Sequence, residues 1–232
     1  MVRVWKPKPT GKGTLTAPWN LRCAEAGSDS GFRPQPVACT MRRYFRLFDD
    51  ITVPKRWHLG AATLADATEA RLRAGLCFEF SEAPNIPVTH AGRPLDFTLT
   101  SFAVPVANGR LADAVNAVAG ADVQSVPVGI VGHDGMIVLN ALRVLRCLDE
   151  GHSEFLKWTK QDHRADLADQ YRQITKLVLD GAAIPHDVHI FRIEGSLVEL
   201  VVSEAVKDAM ERVGCLGAKF LELQISGSDP AA

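Results

Sequence analysis

The chain of 232 residues is 47% hydrophobic and 23% charged, and its 26 Lys and Arg residues nearly balance its 27 Asp and Glu residues. These proportions are typical of a globular protein and exclude a collagen-like, coiled-coil or wholly disordered chain. A net charge of -1 argues against a dedicated nucleic-acid-binding protein, and the sequence has no run of about 18 apolar residues that could cross a membrane.

The first forty residues differ from the rest in composition and charge. They contain five of the 13 prolines and six basic residues against two acidic ones, which leaves a net charge of -5 for residues 41–232. They also lack the apolar segment of a signal peptide, so a cytoplasmic protein is expected. Because such a segment buries too little apolar surface to offset the entropy lost on ordering, we predict a disordered extension over 1–40.

The change in composition falls at Met41. We therefore predict an ordered domain over 41–225 and a flexible tail over 226–232. One hypothesis is that Met41 is the natural start of the protein, which N-terminal mass analysis of the native protein would test. The alternative for the extension is a basic docking arm that binds a partner.

Short apolar runs predict the strands in the first half of the ordered region. Residues 44–48 are apolar except for one Arg and predict a strand, whereas Pro54 and Gly60 predict an irregular connection between them. Further strands are predicted at 76–80, 97–106, 123–131 and 136–139, with 142–148 extending the sheet that the last two form. Pro127 places the strand over 123–131 at an edge or a bulge.

Two helices are predicted from their caps and their periodicity. Asn108 is a good N-cap, and apolar residues at 111, 114, 115 and 118 form one helical face before Gly120 ends the helix. Ser203 begins the second helix, with apolar residues at 206, 209, 210 and 213 before Gly214. Strands are predicted around it at 176–179, 188–193, 197–202 and 220–225, whereas 149–173 is a long polar connection.

An offset of 95 residues places the first helical pattern on the second, with Asn108 on Ser203 and Leu111 on Val206. This pattern indicates either two similar strand–helix–strand units or one generic arrangement that occurs twice. Many short strands, two main helices and long connections together predict an α+β fold in a single domain.

The usual catalytic and metal-binding patterns are missing from the sequence. Its five cysteines form no C-x-x-C pair, and their odd number favours reduced thiols, with Cys147 embedded in an apolar core run. His186 and His189 enter a predicted strand, where residues three apart point to opposite faces and do not share a metal. No G-x-S-x-G elbow is present. These observations predict no catalytic residue, no cofactor site and no metal site.

Two stretches combine charge with tryptophan and are candidate contacts with a partner. Asp149 and Glu150 begin a polar region that leads to Trp158, and Trp57 lies between Arg56 and His58. Tryptophan and arginine are enriched at the energetic centres of protein interfaces. Each stretch also has a simpler interpretation, because the first is a typical solvated surface and the second tryptophan can cover the edge of the core.

The ordered region resembles immunity family eleven of bacterial polymorphic toxin systems, which is typified by a myxobacterial immunity protein and was formerly a domain of unknown function. The resemblance covers roughly 41–225 and rests on the order and spacing of several short motifs. These motifs are Arg43–Asp50, Pro54-x-Arg56-Trp57-His58-Leu59-Gly60, Gly92–Thr98, Asp122-Val123-Gln124-x-x-Pro127-Val128, Leu139-Asn140, Cys147-Leu148-Asp149-Glu150-x-x-Ser153-Glu154, Tyr171-Arg172, Ile190-Phe191-Arg192 and Val201-Val202-Ser203-Glu204-x-x-Lys207.

The resemblance implies a non-enzymatic immunity protein that binds and neutralises a cognate toxin encoded by an adjacent gene. A charge of -5 over 41–232 favours electrostatic steering toward a basic toxin such as a nuclease. The expected interface residues are Arg56, Trp57, His58, Asp149, Glu150 and Trp158. The alternative is a small-molecule-binding or enzymatic domain, which predicts a deep pocket with converging polar groups. Homo-oligomerisation stays open and is tested by light scattering; no nucleic acid and no membrane is expected as a partner.

Overall fold

The computed structural model describes residues 42–63, 69–77, 79 and 83–227. The predicted extension over 1–40, the hypothetical start at Met41, part of the strand predicted over 76–80 and the tail beyond residue 227 lie outside the described residues. Within the described ranges no helix has both the length and the apolar character needed to cross a membrane.

The described residues form fifteen strands and three α-helices, which confirms the predicted α+β class with many short strands. The elements of the first half are β1 (Tyr44–Asp49), β2 (His58–Leu59), α1 (Glu69–Arg73), β3 (Val88–His90), β4 (Phe97–Leu99), β5 (Pro105–Asn108), α2 (Gly109–Ala119), β6 (Val123–Ile130) and β7 (His133–Ala141). Those of the second half are β8 (Val144–Leu145), β9 (Glu154–Lys157), β10 (Tyr171–Lys176), β11 (Val178–Asp180), β12 (Ile190–Ile193), β13 (Ser196–Ser203), α3 (Glu204–Arg212), β14 (Ala218–Glu222) and β15 (Gln224–Ser226).

Two sheets share one topology of four antiparallel strands. The first has the order β4-β5-β7-β6, and four strands of the second repeat it as β12-β13-β1-β14, with β8 added beside β12. In the first sheet β5 leads through α2 to β6, and in the second β13 leads through α3 to β14. The central strand has a different origin in the two sheets, because β7 follows β6 directly whereas β1 comes from the N-terminal side of the chain.

The two strand–helix–strand units also agree in detail. Asn108 accepts a hydrogen bond from the Leu111 amide at 2.9 Å, and Ser203 accepts one from the Val206 amide at 3.4 Å, so both predicted N-caps are confirmed. The outer strands β6 and β14 again begin 95 residues apart. Of the two interpretations of the offset, the structure therefore contains the two similar units.

The main core lies where the helices meet the sheets. α2 and α3 pack against each other, and one cluster joins their buried faces to strands of both sheets, including Phe45, Leu111, Val115, Leu139 and Met210. Two further clusters surround Trp57 and Phe191. The period of the apolar residues on α2 and α3 thus places their buried faces in the first of three hydrophobic clusters.

Two strand predictions differ from the structure. The segment over 142–148 does not extend the sheet of β6 and β7, because the Arg143 carbonyl accepts from the Arg192 amide and β8 pairs in parallel with β12. The closing strand predicted over 220–225 is two strands. It is broken at Leu223, whose amide donates to Tyr44, and β15 then pairs in parallel with β11.

Candidate functional site

The structure places two of the expected interface residues in the interior. The Trp57 side chain is 0% exposed and belongs to a core cluster. Arg56 is 7% exposed, and its guanidinium lies 2.5 Å from the Asp49 carboxylate and 2.8 Å from the Thr98 hydroxyl. Neither side chain is available to a partner on the folded surface, so the interface expectation is corrected for both: they are structural, because burial and internal pairing occupy them.

His58 directly follows the buried pair Arg56 and Trp57, but its own side chain is exposed. Its ring faces the ring of His90 across the β2–β3 pair, with 5.6 Å between ring centroids. None of the contacts made by the described residues joins His58 to Trp158 or to the acidic pair Asp149 and Glu150. The structure therefore divides the six expected residues into two regions, one at residues 56–58 and one at Asp149, Glu150 and Trp158.

The remaining three residues lie on one substructure, a separate two-stranded sheet formed by β9 and β10. Residues 149–176 are called the ribbon below. Its strands pair only with each other, and neither strand contains a buried residue. The loop between them is closed by two backbone hydrogen bonds of 2.9 Å, from Trp158 to Gln170 and from Asp169 to Trp158. The ribbon was missed by sequence reasoning because its strands are short, polar and separated by a long loop.

Asp149 forms the turn at the base of the ribbon. One carboxylate oxygen accepts hydrogen bonds from the amides of Gly151 and His152, and the other lies 2.8 Å from the His152 ring nitrogen. Hydrogen bonds from the Ser226 hydroxyl and from His152 lower the pKa of Asp149 to about 2. The carboxylate is therefore ionised and fully engaged within the protein, which makes it a structural element of the turn.

Glu150 links both strands of the ribbon, β9 and β10, to the turn at its base. Its carboxylate accepts hydrogen bonds from Lys157 at 2.7 Å and from the Tyr171 hydroxyl at 2.6 Å. These two bonds lower the pKa of Glu150, while burial and the bond to Glu150 raise the pKa of Tyr171. The Lys157 ammonium also lies 5.4 Å from the ring centroid of Phe155 and 5.0 Å from that of Tyr171. This network holds the ribbon in one conformation.

Trp158 is half-buried and directly follows Lys157, the last residue of β9. The guanidinium carbon of Arg172 is 4.8 Å from the centroid of its ring, and the His163 ring meets it edge-on at 5.3 Å. Strand alternation places Leu156, which is 59% exposed, on the same side as Trp158. Leu156, Trp158 and Arg172 are called the outer patch below. Alternation over residues 154–157 is the sequence signal that could have identified Leu156, whereas Trp158 could be selected by residue type.

The low pKa of Asp149 predicts an acid-dependent contribution to stability. A carboxylate whose pKa is lowered on folding stabilises the folded state above its usual pKa of about 4, and this stabilisation is lost as the pH falls toward 2. We expect the Asp149→Asn variant to be less stable than the wild type at pH 6, with the difference shrinking toward pH 2.5. Urea unfolding at a series of pH values measures this; parallel losses in the two proteins would contradict it.

The alternative of a small-molecule-binding or enzymatic domain predicts a deep pocket with converging polar groups. A shallow, open depression of about 470 Å³ lies beside the base of the ribbon and is lined by His152, Lys176, Val178, Gln224, Ile225, Ser226 and Gly227. Burial raises the pKa of the Cys147 thiol to about 12, the opposite of what a nucleophilic cysteine needs. In the part of the chain that the structure describes, no three His, Cys, Asp or Glu side chains are grouped as metal ligands.

Comparison with known proteins gives the context for this surface. Residues 33–224 match the profile of the immunity protein family Imm11. The matched range contains both large sheets, the helices α2 and α3, and the whole ribbon. A comparison with curated proteins found no match. Because the profile covers most of the chain, this protein belongs to the Imm11 immunity protein family.

Proposed function

We propose that this protein is a non-enzymatic immunity protein that binds and neutralises a cognate bacterial toxin in the cytoplasm. The observation that carries the proposal is the family match over residues 33–224, since membership of an immunity family suggests a role in toxin immunity. Neutralisation by binding requires a rigid surface that is complementary to one partner, and it requires no bond-making chemistry in the immunity protein.

The ribbon supports this proposal as the interface. It contains no fully buried strand residue, it is linked by the Glu150 hydrogen bonds, and it presents a half-buried tryptophan beside an exposed arginine, which are residue types that dominate binding energy at protein interfaces. Of the residues expected from the sequence, Trp158 is the one retained in the contact surface, and Asp149 and Glu150 act by positioning the ribbon beneath it.

The proposal is tested by co-expression with the products of the adjacent genes. Each neighbouring reading frame is expressed from an inducible promoter in a bacterial host, with and without this protein, and colony counts are compared. We expect one neighbour to stop growth and this protein to restore it, with a tight complex of the two purified proteins in isothermal titration calorimetry. Failure of both rescue and binding for every toxic neighbour would refute the proposal.

A further inference from the structure

The outer patch contains an arginine, Arg172, that forms an ion pair with Asp162 but donates no hydrogen bond to the described residues. The Arg172 side chain is 50% exposed, and its nearest carboxylate oxygen, on Asp162, lies 3.6 Å away, beyond hydrogen-bond distance. The other carboxylate oxygen of Asp162 accepts hydrogen bonds from the amide and the hydroxyl of Thr159 at 2.7 and 2.9 Å. Among the described residues, none accepts a hydrogen bond from the Arg172 guanidinium.

Stacking on Trp158 prepares this guanidinium for binding. A cation over an indole ring interacts through the face of the ring, and the N–H groups of a stacked guanidinium point outward in its own plane. The stack also restricts the rotamers of a long side chain, so less entropy is lost when a ligand binds. Contact with Trp158 therefore restricts the Arg172 side chain, while its guanidinium N–H groups donate no hydrogen bond to the described residues.

A second arginine in the same loop shows the contrasting arrangement. Arg164 is 51% exposed, and its side chain donates two hydrogen bonds, of 2.9 and 2.7 Å, to the two carboxylate oxygens of Asp166. The ribbon thus supplies a carboxylate for Arg164 and none at hydrogen-bond distance for Arg172. The group that fits the free donors of Arg172 is likewise a planar carboxylate, which matches the fork of a guanidinium with two parallel hydrogen bonds.

We infer that the outer patch is the contact surface for the toxin, and that an Asp or Glu side chain of the toxin binds Arg172 bidentately while apolar toxin surface covers Leu156 and Trp158. This inference rests on the proposed function. Apolar cover excludes water from the ion pair, which strengthens a contact that would contribute little in solvent. The proposed contact between Arg172 and a toxin carboxylate is compatible with a basic toxin. The net charges of the two proteins act over long distances as they approach, whereas this contact involves a single acidic side chain of the toxin.

The test compares Arg172→Gln with the matched control Arg164→Gln in the full-length protein. Calorimetry measures binding of each variant to the toxic neighbour that the wild type neutralises. We expect Arg172→Gln to raise Kd by about 30- to 100-fold and Arg164→Gln to raise it by less than about threefold. Arg172→Lys, which keeps the charge and loses the planar fork, is expected to raise Kd by about tenfold. Thermal unfolding checks that the variants remain folded.

The acidic residue on the toxin is identified by a double-mutant cycle. Each exposed Asp and Glu of the toxin is changed to Asn or Gln, and one of these changes is expected to weaken binding to the wild type but not to Arg172→Gln. If the wild type binds and Arg172→Gln binds equally well, the inference is overturned and the proposed function stands. If the wild type binds no toxic neighbour, the proposed function fails, and the inference fails with it.

Discussion

Replacing Trp57 with alanine is expected to lower the free energy of unfolding by about 3–5 kcal/mol. The side chain is 0% exposed, belongs to a core cluster with Leu59, Leu95 and Val138, and meets the His133 ring edge-on at 4.8 Å. Truncation would leave a large cavity that the surrounding strands cannot fill, because the Trp57 amide donates to the Arg93 carbonyl and holds the backbone in place.

Two variants separate this role from a surface role. The Trp57 indole nitrogen is buried without a hydrogen-bond partner among the described residues, so Trp57→Phe loses volume but no hydrogen bond and is expected to cost about 1–2 kcal/mol. Trp158→Ala, on the outer patch, is expected to cost less than about 1 kcal/mol. Urea unfolding followed by circular dichroism measures all three. A cost below about 1 kcal/mol for Trp57→Ala would contradict the burial of the Trp57 side chain in the core.

The Gly217→Ala substitution is expected to lower the free energy of unfolding by about 3 kcal/mol or more. Gly217 has a φ of +103°, in a region where an L side chain is strained by about 1–2 kcal/mol. A Cβ atom there would also overlap the Phe97 carbonyl oxygen and lie 2.9 Å from the Leu95 side chain, which adds about 1–3 kcal/mol of overpacking. The Phe97 backbone cannot move away easily, since its amide donates to Leu216 and its ring is fully buried.

Gly214 provides the matched control for this substitution. It has a similar positive φ of +69°, but a Cβ atom there would meet no atom within 4 Å. Gly214→Ala therefore carries the backbone strain alone, and we expect it to cost about 1–2 kcal/mol in the same denaturation experiment. Equal losses for the two variants would show that the crowding at Gly217 has no energetic consequence.

The helices and their caps could be read from the sequence because the interactions that define them are local. Asn108 and Ser203 each bond to an amide three residues away, and the apolar face of each helix repeats over two or three turns. Pro127, which cannot donate to a neighbouring strand, predicted an edge or a bulge for β6, and β6 lies at the edge of its sheet with a register shift just after Pro127. The resemblance to an immunity family arose in the same way, from short motifs in a fixed order.

The candidate site was only partly predictable. Trp158 and the acidic pair Asp149 and Glu150 could be selected by residue type, since charge and tryptophan mark surfaces that bind. Arg172 could not be distinguished from Arg164, because the difference between them is a stacking contact and a nearby carboxylate.

Short-range patterns in this protein thus specify α2 and α3, several of its strands and its family, because hydrogen bonds and periodicity act over a few residues; the short helix α1 was not predicted. Burial depends on which distant segments meet. The Arg56 guanidinium donates a hydrogen bond to the Thr98 hydroxyl, 42 positions along the chain. Strand β1 joins its sheet by pairing Tyr44 with Ser203, 159 positions along the chain. Such contacts bury Trp57 in the core and leave Trp158 half-buried on the ribbon. The free energy of burial depends on three-dimensional neighbours, which sequence spacing does not encode.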